Sequence, residues 1–226
     1  MEDKRNNQAS EPERSDLSQS ADVASLISGP KLVLASASPR RAEILRTVGW
    51  PFETLAVDID ESRRAGEDAL LYVERVARAK ADAAATRARG STVVGADTVV
   101  VIEGEILGKP RDDEDTRRML RLLSDRWHQV VTGVALIDAE TGSSKVAHEV
   151  TEVRFAAMNE DEISWYVATG EPRDKAGAYA IQGLGARFIE EIRGDYFNVV
   201  GFPVRLVYRL VRETKTLERD RYGADD

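Results

Sequence analysis

The stretch of residues 92–102, which reads TVVGADTVVVI, constrains the fold of this chain more than any other. Its length and its many valines predict a strand within a sheet. Asp97 lies in the middle, and a carboxylate is costly to bury unless it is paired, bound to a metal or neutralised by a raised pKa. Because apolar residues continue on both sides, we favour a functional Asp97, with room for another group beside Gly95 and Ala96. The alternative is a bulge or a strand end that exposes Asp97 to water.

Strands and helices alternate along the chain around this run. Apolar patterns predict further strands in KLVLA, PFETLAV, EILG, WHQVVTGVALID, KVAHEVTEVRFAAM and near residues 187–192. Helices are predicted to start at SPRR and to cover about residues 67–89, 112–123, 160–169 and 203–212. Since the strands both alternate with helices and pair as hairpins, the sequence predicts an α/β fold with a mixed sheet.

Composition divides the chain into three parts. Residues 1–29 are polar and low in aromatics, which is typical of a disordered N-terminal tail. We expect residues 30–213 to form the folded domain. The charged segment of residues 214–226 is a C-terminal extension that either continues the last helix or frays.

Overall composition excludes several classes of function. The chain has no cysteine, which excludes disulfides and thiol catalysis, and its two histidines argue against a histidine-based metal site. A net charge of −8 argues against a general nucleic-acid binder. No apolar run approaches the ~20 residues that span a membrane, and the N-terminus lacks an apolar signal-peptide core. We therefore expect a cytoplasmic protein without a membrane partner, in which any basic residues that bind an anion are gathered locally.

The segment ASASPRRAEIL places two arginines in the first turn of a helix. Ser38 is a suitable N-cap, so Arg40 and Arg41 follow at the positive end of the helix dipole, where each cation costs about 0.3 to 1 kcal/mol. Small serines, Ser36 and Ser38, lie in the turn between strand and helix, a geometry that binds phosphate. Two arginines repel each other when such a site is empty and are attracted when a polyanion fills it. The alternative is that both lean away and pair with surface carboxylates such as Glu43.

Lys80 and Glu61 are the next candidates. Lys80 lies on the apolar stripe of its predicted helix, seven residues after Val73, so it either snorkels to the surface or neutralises a charge in a cleft. Glu61, in DIDES, follows the second strand. Together with Asp97 it could form an oxygen site for Mg²⁺, which prefers one or two carboxylates plus substrate phosphates.

Two further segments contribute single candidates. GEILGKP lacks the spacing of a Walker A loop, but Lys109 could still reach a phosphate. The glycine-rich stretch GEPRDKAGAYAIQGLGARF indicates backbone that turns or approaches a ligand closely. Gln182 within it offers both a donor and an acceptor, which suits the edge of a base, although an ordinary surface glutamine is the alternative.

Taken in order along about residues 31–212, these segments resemble the Maf family of nucleoside triphosphate pyrophosphatases. The resemblance is carried by LASASPRR, DIDE, RVARAKA, GADTVV, GKPRD, VVTGVAL, GEPRDKAGAYAIQGLGARF and GDYFNVVGFP. It implies an α/β fold related to the inosine triphosphatases, in which two lobes around a central cleft share a long twisted mixed sheet with flanking helices. It also implies hydrolysis of a nucleoside triphosphate between the α and β phosphates with a divalent metal cation, Mg²⁺ or Mn²⁺, in a family where homodimers are common.

The resemblance also assigns roles to the candidates. Asp97 matches the proton acceptor for the attacking water, and Glu61 matches a carboxylate of the metal and water region. The basic residues around the triphosphate are matched by Arg40, Arg41, Lys80 and Lys109.

Three positions indicate the substrate. Arg40, Thr98 and Gln182 match the branch that resembles dTTP/UTP pyrophosphatases, whereas the branch acting on 7-methylguanosine triphosphate has SPWR, SDQ and SEG there. One alternative is an enzyme for 7-methylguanosine triphosphate or for a broad set of noncanonical nucleotides. Another is a nucleotide-binding regulator without turnover, because the family has been linked to septum formation.

Overall fold

The computed structural model describes residues 29–222 of the chain. All but the last residue of the expected N-terminal tail, and residues 223–226 of the expected C-terminal extension, lie outside this range. None of the helices in the described range combines the length and the apolar character that a membrane span requires.

Seven strands form one mixed sheet, as predicted. The strands are β1 (Leu32–Ala35), β2 (Phe52–Thr54), β3 (Thr92–Ile102), β4 (Glu105–Leu107), β5 (Trp127–Asp138), β6 (Ser144–Phe155) and β7 (Ile189–Arg193). Their order is β2-β1-β3-β5-β6-β7, with β4 also paired to β3. The pairs of β1 with β2 and β3 are parallel, and all other pairs are antiparallel.

Six α-helices flank the sheet in the described part of the chain. They are α1 (Pro39–Thr47), α2 (Ala69–Ala85), α3 (Asp113–Leu123), α4 (Glu160–Ala168), α5 (Tyr196–Val200) and α6 (Val204–Tyr222). Two ends differ from the sequence predictions. Helix α2 ends at Ala85, earlier than expected, where the Thr86 hydroxyl donates to the Ala83 carbonyl oxygen and competes with the helical pattern. Helix α6 continues beyond residue 212 to Tyr222, so the charged segment extends the helix.

One edge of β3 is divided between two short strands. β1 pairs with residues 92–95 and β4 pairs with residues 100–102, both on the side opposite β5. In the described chain no strand pairs with residues 96–99 on that edge. The sheet therefore has a gap at its centre, beside Asp97 and Thr98, and the C-terminal end of the parallel strand β1 opens into it.

The two lobes have separate cores on one face of the sheet, in agreement with the expected two-lobed architecture. Val94 and Ala96 of β3 pack in the first core, together with α1 and α6. Val100 and Ile102 pack in the second core, together with α3 and α4. Thr98, which alternation places on this same face, lies where the two cores meet.

The opposite face of the sheet is covered by helix α2. Val93 packs against the C-terminal half of α2 and Val99 against its N-terminal half. Asp97 lies between these two valines on the same face. The gap in the sheet is thus lined from both faces by polar side chains that interrupt otherwise apolar packing.

Candidate active site

The gap in the sheet opens into a cleft of about 550 Å³. Every residue that the sequence singled out for the site lines this cleft: Ser36, Ser38, Arg40, Arg41, Glu61, Lys80, Asp97, Thr98, Lys109 and Gln182. They come from α1, α2, β3 and four loops, so the fold gathers residues that are up to 146 positions apart in the sequence. The volume suits a small ligand that carries several polar groups.

Lys80 connects two carboxylates at one wall of the cleft. Its Nζ lies 2.7 Å from Asp97 Oδ1 and 2.9 Å from Glu61 Oε1. Lys80 and Asp97 are 8% and 7% exposed, whereas the Glu61 side chain is about half exposed. Lys80 therefore does not snorkel to the outer surface, and it compensates the charge of a buried Asp97.

Asp97 occupies a regular position in β3. It pairs with Gly133 of β5 in an uninterrupted antiparallel register that runs from residue 92 to residue 101. The alternative interpretations, a bulge or a strand end, do not occur. A carboxylate held inside a sheet has few accessible orientations, which fixes the direction in which Asp97 faces the cleft.

Two glycines bring Lys80 close to the sheet. A Cβ atom on Gly95 would lie 2.2 Å from the Ala77 carbonyl oxygen, and one on Gly133 would lie 2.3 Å from the Val73 carbonyl oxygen. The backbone of α2 thus rests directly on β3 and β5, within reach of Asp97. The sequence suggested that Gly95 leaves room for another group beside Asp97, and the group that approaches Gly95 is the helix backbone.

Arg41 is a buried cation at the base of the cleft. Its Nε donates to the Gly201 carbonyl oxygen at 2.8 Å, and its two terminal nitrogens donate to the Ser36 and Thr98 hydroxyls at 3.2 and 3.1 Å. Burial lowers the pKa of Arg41, an effect that Asp97 and Glu61 oppose. A guanidinium nevertheless stays charged.

No carboxylate among the described residues forms an ion pair with Arg41, which distinguishes it from Lys80. Its direct partners are neutral oxygens. A buried cation whose partners are all neutral favours an anion beside it. Arg41 thus provides fixed positive charge where β1 leads into α1.

Arg40 reaches across the mouth of the cleft. Its guanidinium lies 3.1 Å from the Asp174 carboxylate, on the opposite lobe, and also donates to the Asp174 carbonyl oxygen at 3.4 Å. The ammonium group of Lys175 contacts the same carboxylate. Neither Arg40 nor Arg41 pairs with Glu43. The alternative proposed from the sequence holds for Arg40 to the extent that it pairs with an exposed carboxylate, and it does not hold for Arg41. Two cations of the cleft mouth instead share one exposed aspartate.

The first turn of α1 keeps its backbone donors available. Ser38 occupies the N-cap position, but its side chain makes no capping hydrogen bond. The Ser36 hydroxyl accepts the Ser38 N–H at 3.1 Å as well as Arg41, which orders the turn. Unsatisfied N–H groups and two arginines at one helix N-terminus are the kinds of donor that phosphate-binding sites use.

Tyr72 is a cleft residue that the sequence reasoning missed. Its hydroxyl donates to the Glu61 carbonyl oxygen at 2.9 Å and so fixes the loop that carries Glu61. Burial raises the pKa of Tyr72 to about 12, and the charges of Asp97 and Glu61 act in the same direction. Tyr72 therefore stays neutral at physiological pH. Its position eight residues before Lys80, on the inner stripe of α2, was the available signal.

The carboxylates of the cleft fit a divalent cation that arrives with a phosphorylated ligand. Glu61 and Asp97 are both bound to Lys80 and supply oxygen donors at one wall. Within the described residues, no group of three His, Cys, Asp or Glu side chains could hold a metal ion by itself. Mg²⁺ uses one or two carboxylates plus substrate phosphates, so this donor set meets that need.

Comparisons with known proteins agree with the geometry. A family model described as Maf-like protein matches residues 31–214. A dTTP/UTP pyrophosphatase of Symbiobacterium thermophilum is 49% identical over 183 residues, which cover 81% of this chain and 93% of that protein. A dTTP/UTP pyrophosphatase of Anaeromyxobacter dehalogenans is 51% identical over 185 residues, 81% of this chain and 93% of its own length.

Among solved structures, the chain is similar to the Ham1 protein of Staphylococcus aureus. The two chains are 17% identical and superpose with a TM-score of 0.48, over 81% of this chain and 99% of the other.

Proposed function

The chain belongs to the Maf-like protein family, and we propose that it is a nucleoside triphosphate pyrophosphatase that hydrolyses dTTP and UTP to the monophosphate and pyrophosphate. The observation that carries the proposal is the convergence of Arg40, Arg41, Lys80 and Lys109 with Asp97 in one cleft. A triphosphate needs concentrated positive charge to bind, and hydrolysis needs a group that accepts a proton from water. The cleft provides both.

The chemistry requires no covalent intermediate. A water oxygen bonds to phosphorus while the bond between phosphorus and the oxygen that bridges the α and β phosphates breaks, and pyrophosphate leaves. Asp97 accepts the proton that water releases. Lys80, whose Nζ lies 2.7 Å from Asp97 Oδ1, compensates the charge of this carboxylate and fixes its orientation.

The basic residues bind the phosphates and stabilise the developing charge. Arg41 and the first turn of α1 bind phosphate oxygens at the base of the cleft, and Arg40 and Lys109 bind them from its two sides. We propose that a divalent cation, Mg²⁺ or Mn²⁺, held by Glu61 and Asp97 together with the substrate, neutralises further charge on the phosphates. Tyr72 supports this arrangement by holding the backbone of Glu61.

The three specificity positions differ in how directly they can contact a base. The Thr98 hydroxyl is occupied by Arg41 and Thr132, and Arg40 is paired with Asp174. Gln182 lines the cleft, and within the described residues its side-chain amide has no hydrogen-bond partner. A free amide can donate to and accept from a pyrimidine edge, so we assign base recognition to Gln182.

We also propose that the protein is cytoplasmic, where nucleoside triphosphates are abundant, and that it acts as a homodimer without nucleic-acid or membrane partners. The support for the dimer is the family resemblance. Size-exclusion chromatography with light scattering measures the oligomeric state directly.

The proposed activity is tested by kcat/KM for dTTP, UTP, CTP and 7-methylguanosine triphosphate with Mg²⁺, with Glu43→Gln on the exposed face of α1 as the control variant. Selective turnover of dTTP and UTP supports the proposal. Preference for the methylated purine, or equal turnover of all four, contradicts the pyrimidine specificity. Binding without turnover contradicts the enzymatic proposal and supports a regulator.

A further inference from the structure

We propose that Tyr166 and Glu171 are positioning residues that set the base preference of this enzyme by holding residues 180–185, the segment that carries Gln182. The inference rests on the proposed function, because it assigns base recognition to Gln182. Neither residue lines the cleft. We call the pair of Tyr166 and Glu171 the Gln182 clamp.

The Gln182 clamp binds three backbone N–H groups that flank Gln182. The Glu171 carboxylate accepts from Leu184 N at 2.9 Å and from Gly185 N at 3.0 Å. The Tyr166 hydroxyl accepts from Ala180 N at 3.1 Å. Gln182 therefore lies midway between two fixed points of the backbone, two residues from Ala180 on one side and two from Leu184 on the other.

The two members of the clamp also bind each other. The Tyr166 hydroxyl donates to Glu171 Oε1 at 2.8 Å, so one hydroxyl both donates to the carboxylate and accepts from the backbone. Tyr166 is fully buried in the second core. Burial favours a higher pKa for Glu171, but the hydrogen bonds from Leu184, Gly185 and Tyr166 outweigh it and keep its pKa below the ordinary value. The acceptor is thus an ionised carboxylate, which forms stronger hydrogen bonds than a neutral one.

Two glycines fit the segment tightly against the clamp. A Cβ atom on Gly183 would lie 2.4 Å from Glu171 Oε2, and one on Gly185 would lie 2.4 Å from the Tyr166 hydroxyl. Gly183 also has a φ of 139°, a backbone conformation that residues with a side chain rarely adopt. The GLG sequence after Gln182 is therefore explained by close packing on the clamp.

The same short segment of chain also holds Arg40. Glu171 begins a 3₁₀ turn that ends at Asp174, the partner of Arg40 across the cleft mouth. Lys175 Nζ reaches back to the Glu171 carbonyl oxygen at 3.4 Å. Residues 171–175 are thus bound to two of the three specificity positions, to Gln182 through the Glu171 side chain and to Arg40 through Asp174.

The clamp has a specific consequence for kinetics. If it fixes Gln182, loosening it lowers the preference for dTTP over a competing nucleotide. If the clamp only stabilises the second lobe, removing its hydrogen bonds lowers the fraction of protein that is folded and active. The ratio of the kcat/KM values for the two nucleotides then stays unchanged. The ratio separates the two roles.

The experiment compares wild type with Tyr166→Phe, which removes one hydroxyl, and Glu171→Gln. Tyr196→Phe is the matched control, because Tyr196 is 42% exposed on α5. We measure kcat/KM for dTTP and CTP, and Kd for their non-hydrolysable α,β-methylene analogues. Tyr166→Phe and Glu171→Gln should reduce the dTTP to CTP ratio about five- to thirtyfold, mainly through KM, as expected for one or two lost hydrogen bonds. Tyr196→Phe should leave the ratio unchanged.

An unchanged ratio in both clamp variants, or no base preference in wild type, overturns the proposal. The analogues keep this test independent of turnover. A wild-type protein that prefers the dTTP analogue and loses the preference in Tyr166→Phe, but hydrolyses nothing, contradicts the proposed function and supports the clamp. Thermal unfolding of each variant checks that it is folded.

Discussion

Lys80 Nζ lies 2.7 Å from Asp97 Oδ1, and both side chains are nine-tenths buried. Removing one partner of such a pair leaves an uncompensated buried charge, whereas removing both charges does not. We predict that Lys80→Met lowers the free energy of unfolding by about 3 to 5 kcal/mol, and that adding Asp97→Asn restores most of this loss. Denaturant titration of wild type, the two single variants and the double variant gives the coupling free energy between the two side chains. Additive effects would contradict a direct interaction between the two side chains.

Arg41 combines charge with three hydrogen bonds in fixed directions. Lysine keeps the charge but cannot contact Gly201, Ser36 and Thr98 together. We predict that Arg41→Lys lowers kcat/KM about ten- to hundredfold, equally for dTTP and UTP, because the phosphates are common to both. The exposed Arg46→Lys in the same helix is the control and should behave as wild type. A selective loss for one of the two substrates would contradict a phosphate role.

Asp174 is paired with Arg40, for which we propose a role in binding the triphosphate, so the Asp174 carboxylate competes with the phosphates for this guanidinium. Its side chain is 62% exposed, so the ion pair with Arg40 contributes little to stability. We predict that Asp174→Asn lowers KM for dTTP about two- to fivefold without a large change in kcat. This change in KM should become smaller as salt is added. Asp113→Asn, which removes a comparable exposed pair with Arg173, should leave KM unchanged. A higher KM in Asp174→Asn would show that Asp174 assists binding.

Gly95 permits the close approach of α2 to β3. A Cβ atom there would lie 2.2 Å from the Ala77 carbonyl oxygen. Because this oxygen belongs to a rigid helix backbone, relieving the overlap costs free energy. We predict that Gly95→Ala costs about 1 to 3 kcal/mol of stability and also lowers kcat, since it moves Lys80 away from Asp97. Gly108→Ala is the control for stability, because a Cβ atom there meets no atom within 4 Å. Wild-type stability in Gly95→Ala would contradict the close packing.

His128 makes stability depend on pH. Its Nε2 shares a hydrogen bond with the Tyr179 hydroxyl at 2.8 Å, its Nδ1 has no partner among the described residues, and burial lowers its pKa to about 4. Between pH ~6.5 and ~4 the unfolded chain binds a proton at His128 that the folded protein does not. The free energy of unfolding should therefore fall by about 3 kcal/mol as the pH is lowered from ~6.5 to ~4. Above pH ~6.5, His128 should not affect it.

The measurement for His128 is the free energy of unfolding from pH 7 to pH 4 in wild type and in His128→Gln. The variant should lose the part of the pH dependence that belongs to His128. His148→Gln, which changes the other histidine of the chain, should retain it. The same slope in wild type and His128→Gln would contradict a buried neutral His128.

Local signals predicted most of the fold. Runs such as residues 92–102 and the capped helix that begins at Asp113 are set by apolar pattern and N-cap chemistry, and the structure confirms both. The short helix α5 was not predicted. It spans Tyr196–Val200 and depends on one cap, the Asp195 carboxylate, which accepts from Phe197 and Asn198. A helix of this length has too few apolar repeats to show a period.

The site was predictable as a set of residues but not as a set of contacts. Asp97 and Lys80 were visible because a charge interrupts an apolar pattern. The pairing of Arg40 with Asp174 joins residues 134 positions apart and follows from tertiary packing alone. The sequence indicated that a group approaches Gly95 but not which one, since only the position of α2 shows what fills the space beside it.

We infer that Asp97, held by Lys80, accepts the proton of water during hydrolysis between the α and β phosphates. Phosphorus NMR of dTTP with Mg²⁺ and the wild-type protein tests it most directly, with Asp97→Asn measured in parallel. The account predicts dTMP and pyrophosphate from wild type, and a rate lower by about 10² to 10⁴ in Asp97→Asn. Release of inorganic phosphate and dTDP, or full activity in Asp97→Asn, would contradict it.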